Sequence, residues 1–224
     1  MTDIFTVADL LEIIRDYKMY LQGKVHFAPD GWPIMEREWF LDVWPDELVP
    51  YPNRNNKLYH NKHNSTLCYY CADNRIYPRF NNLFQEIGSY KAFQGVVGPD
   101  ITVTRDMDIE LQQSIMLANQ LFMAILAVNG IKVVLNTRCG GLATVSCFRY
   151  LPKGIMCASG FLGCSNSRTT SEASIYVNKV LSLRPSKLLV YGKQDELVNQ
   201  QLDTLGINYR YYEDFHRISC RRCV

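Results

Sequence analysis

Gly95-Val96-Val97-Gly98, Ile131-Lys132-Val133-Val134-Leu135, Ile155-Met156-Cys157-Ala158, Lys187-Leu188-Leu189-Val190-Tyr191 and Ile207-Asn208-Tyr209-Arg210-Tyr211-Tyr212 are five short apolar runs in the second half of the chain. Helical stretches are expected between them, at about 107–128, 171–183 and 195–205. Asn129-Gly130 and Leu205-Gly206 suit helix ends that need a left-handed residue. Thr169 and Glu172 have the spacing of a capping box. Short apolar strands alternating with helices predict an α/β fold with a mostly parallel sheet of about five strands and flanking helices, as an open sheet or partial barrel. The connection 138–153 needs a short helix if the third strand is to join in parallel.

Working outward, Thr6 opens an amphipathic helix that Gly23 stops, with Val7, Leu10, Leu11, Ile14, Tyr17 and Leu21 in helical period. From 25 to 79 periodicity fails. Trp32, Trp39 and Trp44 lie there among Pro29, Pro33, Pro45, Pro50 and Pro52, which predicts irregular but packed structure, with short helices near 35–41 and 81–87. The expected organisation is residues 1–93 as an aromatic-rich N-terminal region packed on an α/β core of 94–224, together one compact unit.

The apolar fraction of 47% and charged fraction of 21% are those of a globular protein, and a net charge of +2 does not point to nucleic acid. The start of the chain does not read as a secretory signal, and the most apolar window, 115–128, is short for a bilayer. A cytoplasmic protein with no membrane partner is expected.

Eight cysteines are then better read as metal ligands or buried apolar groups than as disulfides. Cys68-x-x-Cys71 and Cys220-x-x-Cys223 could together hold a structural zinc that ties the C-terminus to the N-terminal region. A local site of His60, His63, Cys68 and Cys71 and a set of unliganded thiols both remain open.

Ligands in parallel α/β folds bind beyond the carboxyl ends of the strands. Asp100 follows the first core strand; Asn136 and Arg138 follow the second. These are the candidate catalytic residues, with Thr102, Ser159 and Arg168 as candidate ligand-binding residues. Arg138 and Arg168 suit a phosphate-bearing small molecule. Asp100 with Asp106 could hold a catalytic divalent ion, or Asp100 could orient a proton-accepting water. No dinucleotide fingerprint, phosphate loop, zinc-protease helix or serine elbow occurs.

Gly98-Pro99-Asp100-Ile101-Thr102, the long helix after it, Val133-Val134-Leu135-Asn136 and Leu189-Val190-Tyr191-Gly192 carry a resemblance. Across about 96–192 the chain resembles an uncharacterised domain-of-unknown-function family of phages, plasmids and bacterial genomes. The resemblance implies a mobile-element origin and names no reaction. Three functions stay open on this reading. The first is binding, or metal-assisted hydrolysis, of a phosphate-bearing or nucleotide-like ligand at the strand ends. The second is a non-catalytic module that binds a host defence or replication protein. The third is nucleic-acid binding through Arg54, Lys57, Lys62, Arg75, Arg79 and the pair Arg221-Arg222.

Overall fold

The computed structural model describes residues 5–160 and 178–222. The predicted capping box at Thr169 and most of the helix expected at 171–183 lie outside them; residues 178–183 are helical.

Seven strands make one sheet: β1 (Glu47–Pro50), β2 (Ser65–Cys68), β3 (Gly95–Val97), β4 (Val133–Asn136), β5 (Met156–Gly160), β6 (Lys187–Tyr191) and β7 (Tyr209–Tyr212). Every neighbouring pair is parallel and the spatial order is the chain order, β1 to β7. A parallel sheet laid down in this order, with its crossovers on one side, curls into a nearly closed barrel flanked by helices. Near the seam, the Tyr212 hydroxyl donates to the carbonyl of Pro45 at 2.9 Å, just ahead of β1. Arg210 stacks on Trp44 beside it.

The alternation of side chains along the strands separates two apolar layers. Leu48, Cys68, Val97, Val134, Met156, Ala158, Leu189, Tyr191 and Tyr212 pack together as the barrel interior. Val49, Leu67, Val96, Val133, Leu135, Cys157, Leu188 and Val190 belong to the layer under the helices. Leu41, whose N–H bonds to the carbonyl of Val133, joins the interior set and plugs the barrel where β3 and β4 begin.

Helices α1 (Val7–Leu21), α2 (Asp73–Asn81), α3 (Leu83–Tyr90), α4 (Ile109–Val128), α5 (Leu142–Val145), α6 (Glu196–Thr204) and α7 (Phe215–Arg222) join the helical residues 178–183 and four single-turn 3-10 segments. In α1 the predicted cap is complete: Thr6 Oγ1 accepts from the Asp9 N–H, and Asp9 accepts from the Thr6 N–H. α1 buries Leu10, Ile13, Ile14, Tyr17 and Leu21 and packs on α4. Asp108 caps α4, a helix long and apolar enough to cross a bilayer, but most of it is buried among the other elements. The crossover between β4 and β5 contains the expected short helix, α5.

Two strands and one helix arise where the sequence reads as irregular. β1 ends in Pro50, which only the end or edge of a sheet tolerates. β2 is fully buried yet half hydroxylated, Ser65-Thr66-Leu67-Cys68, so it shows no apolar run. α2 carries Pro78 inside it. Each is stabilised by neighbours rather than by local pattern.

Candidate functional site

Parallel strands point all their carboxyl ends to one mouth of the barrel. After β3 the chain runs Gly98-Pro99-Asp100. A Cβ on Gly98 would lie 2.7 Å from the Met123 sulfur, so glycine there lets α4 approach the strand end. The last residue of β4 is Asn136, and its buried amide joins the two loops. Nδ2 donates to Asp100 Oδ1 at 2.8 Å and to the Pro99 carbonyl at 3.1 Å, while Oδ1 accepts the Arg138 N–H at 3.2 Å. Asp100, Asn136 and Arg138 are therefore one hydrogen-bonded cluster.

Burial pushes the Asp100 carboxyl up to about 6, against the opposing pull of the Arg138 charge and the Asn136 hydrogen bond. Asp73 raises it further and Lys179 lowers it. Asp73 begins α2 and is occupied in positioning: it accepts from the Thr102 N–H and hydroxyl at 3.2 to 3.3 Å and from the Tyr77 hydroxyl at 3.1 Å. Thr102 thus binds the loop after β3 to α2. Ser159 is buried in β5, and by alternation lies on the opposite face from Ala158 and Gly160, toward the helix layer. Arg168 lies outside the described residues.

Cys68 ends β2 inside the barrel and Cys71 follows at the mouth. Burial pushes the Cys68 thiol far up and Cys71 to about 12, with the Asp100 charge raising both. Such thiols stay protonated near neutral pH. Between them Tyr70 stacks on Tyr191, with centroids 5.1 Å apart. The bare Cα of Gly160 makes room for the Tyr70 ring, to which a Cβ would come within 2.4 Å. Cys139 is buried beside the mouth with its thiol also pushed up by burial, while Lys179 and Arg138 act in the other direction.

Cys220 is exposed on α7, its sulfur 3.9 Å from His216 Nε2. Cys223 lies outside the described residues. Among the described residues no three His, Cys, Asp or Glu side chains are grouped to hold a metal ion. His60 and His63 are exposed.

The mouth also contains groups that sequence reasoning passed over. Asp73 and Tyr70 sit in the aperiodic region, and Lys179 lies on a helix with nothing local to mark it. Asn119 and Gln120 interrupt the apolar run 115–128, and that is their only local signal. Chemically, the mouth sets a carboxyl able to exchange protons near neutral pH beside a guanidinium and an ammonium, a combination suited to an anionic ligand.

A domain family described as a domain of unknown function, DUF4417, matches residues 31–212. No curated protein and no solved structure matches the chain.

Proposed function

The chain belongs to the DUF4417 family, and we propose that it binds a small phosphate-bearing or nucleotide-like ligand at the carboxyl mouth of its barrel and hydrolyses it. The observation that carries the reading is the cluster of Asp100, Asn136 and Arg138 at the ends of β3 and β4. Arg138, with Lys179 near it, offers the positive charge that anion recognition needs. Asp100, titrating at about 6, accepts a proton from an attacking water. Asn136 holds its carboxylate by one oxygen and orients it. A divalent ion on Asp100 is the metal-assisted form of the same chemistry, and added magnesium tests it.

The cytoplasm is the compartment we favour, because all six described cysteines are unpaired thiols. The two macromolecular readings draw less support. Trp32 is buried, Trp39 and Trp44 are partly buried against the core, and Arg79 and Arg54 are engaged with Glu86 and Tyr51.

Calorimetric titration with inorganic phosphate and nucleoside mono-, di- and triphosphates tests the proposal. Arg138→Gln should weaken phosphate binding about tenfold to a hundredfold, the worth of a charge-assisted hydrogen bond. Asp100→Asn should keep binding and lose turnover. Absence of phosphate binding by the wild type, or affinity unchanged in Arg138→Gln, would overturn it.

A further inference from the structure

Behind the mouth, between the ends of β3 and β4 and helix α4, lies a cavity of about 10 Å³. Arg138, Asn119 and Gln120 line it, with Met123 and Phe148 among its apolar walls. Three polar atoms of those residues are buried with no hydrogen-bond partner among the described residues: Arg138 Nε, Asn119 Oδ1 and Gln120 Oε1. The other end of the Gln120 amide is fixed, because its Nε2 donates to the Cys147 carbonyl at 2.8 Å. Asn119 and Gln120 are only 9% and 2% exposed. Buried polar atoms of this kind are costly to leave unsatisfied.

The inventory is one donor and two acceptors around a space at the lower limit for a single water molecule. A water oxygen accepts one N–H and donates two hydrogens, so one water satisfies all three atoms. We infer that a single ordered water occupies this cavity and that, through it, Asn119 and Gln120 act as positioning residues for Arg138. The inference rests on the proposed role of Arg138 in binding the ligand for its functional half only. It gives α4 a reason to carry two adjacent buried amides. With Nε tethered from behind and the backbone N–H bonded to Asn136, the guanidinium is held at both ends of its side chain. A pre-oriented guanidinium loses less freedom when it binds an anion.

The test is nuclear magnetic resonance on the full chain labelled with ¹⁵N-arginine. The Arg138 Nε–H should exchange at least about tenfold more slowly than exposed arginines and show a cross-peak to a long-lived water. In Asn119→Leu that cross-peak should vanish and the phosphate dissociation constant should rise about tenfold, the effect of losing one orienting bond. The melting temperature should not fall in parallel, which separates positioning from mere support of the fold. Gln120→Met is the second variant should Asn119→Leu fail to fold. Exchange as fast as in exposed arginines, or a direct hydrogen-bond coupling from Nε to either amide oxygen, would overturn the inference. A wild type that shows the water cross-peak but binds no phosphate overturns the proposed function and leaves the water in place.

Discussion

At the mouth, burial brings the Asp100 carboxyl into the range where protons exchange near neutral pH. This carboxyl titrates near 3.8 in an unperturbed chain and at about 6 here. Between those values the folded protein binds more protons than the unfolded one, so stability falls as pH rises through this window and is flat above it. The full shift corresponds to about 3 kcal/mol, and partial exposure reduces that. Asp100→Asn keeps an oxygen for Asn136 and removes the charge. It should raise stability by about 1–2 kcal/mol at pH 8 and change it little near pH 3.5. Urea unfolding at the two pH values checks this; an equal gain at both would show that burial of the charge is not the cause. At this scale the sequence was informative for one reason. Asn136 ends a core strand and Asp100 and Arg138 follow one within three residues, so strand position alone brought them forward. Asp73 and Lys179 escaped because their place at the mouth depends on contacts across long stretches of chain.

The elements differ in how their stability is supplied. α1 is locally complete, with a cap, an apolar stripe and a glycine stop, and it was legible in full. The unit of β1, β2, α2 and α3 is the opposite case, held by a network that crosses it. Tyr51 and Tyr90 both donate to Glu86 Oε2, at 2.6 and 2.9 Å, and Tyr69 shares a hydroxyl–hydroxyl bond with Tyr90. Arg79 pairs with the other Glu86 oxygen and bonds to the Tyr51 hydroxyl. The Arg79 and Glu86 side chains are 20% and 16% exposed, which places them between a surface pair and a buried one. Glu86→Ala leaves a guanidinium and two hydroxyls without their acceptor and should cost about 2–4 kcal/mol. Thermal unfolding measures it, and a loss below half a kilocalorie would mean water replaces the carboxylate freely. None of these partners is close to Glu86 in the sequence except Arg79 and Tyr90, so periodicity had nothing to report.

For the whole molecule, the barrel interior depends on one small residue. Gly160 ends β5 facing the Tyr70 ring, and Tyr70 in turn stacks on Tyr191 from β6. Gly160→Ala would place its methyl 2.4 Å from the ring, inside contact distance, so the stack must move. The expected cost is about 1–3 kcal/mol, as for other overpacked cores, with a loss of near-ultraviolet tyrosine dichroism. A Tyr70→Leu background should relieve most of the cost. If Gly160→Ala is as destabilising there, the clash with Tyr70 is not its origin.

The α/β class, the parallel strands β3 to β7 and the long core helix were legible because apolar runs of that length between helices have few other solutions. The grouping of Asp100, Asn136 and Arg138 was legible because a parallel sheet gathers its carboxyl ends on one side. The barrel was not. Its closure requires β1 and β2, four-residue segments of Glu-Leu-Val-Pro and Ser-Thr-Leu-Cys whose strand character comes from pairing with each other and with β3. The tether of Arg138 to α4 was hidden for the same reason. Hydrogen bonds and packing between distant segments carry no local period, and they exist once the chain has brought their partners together.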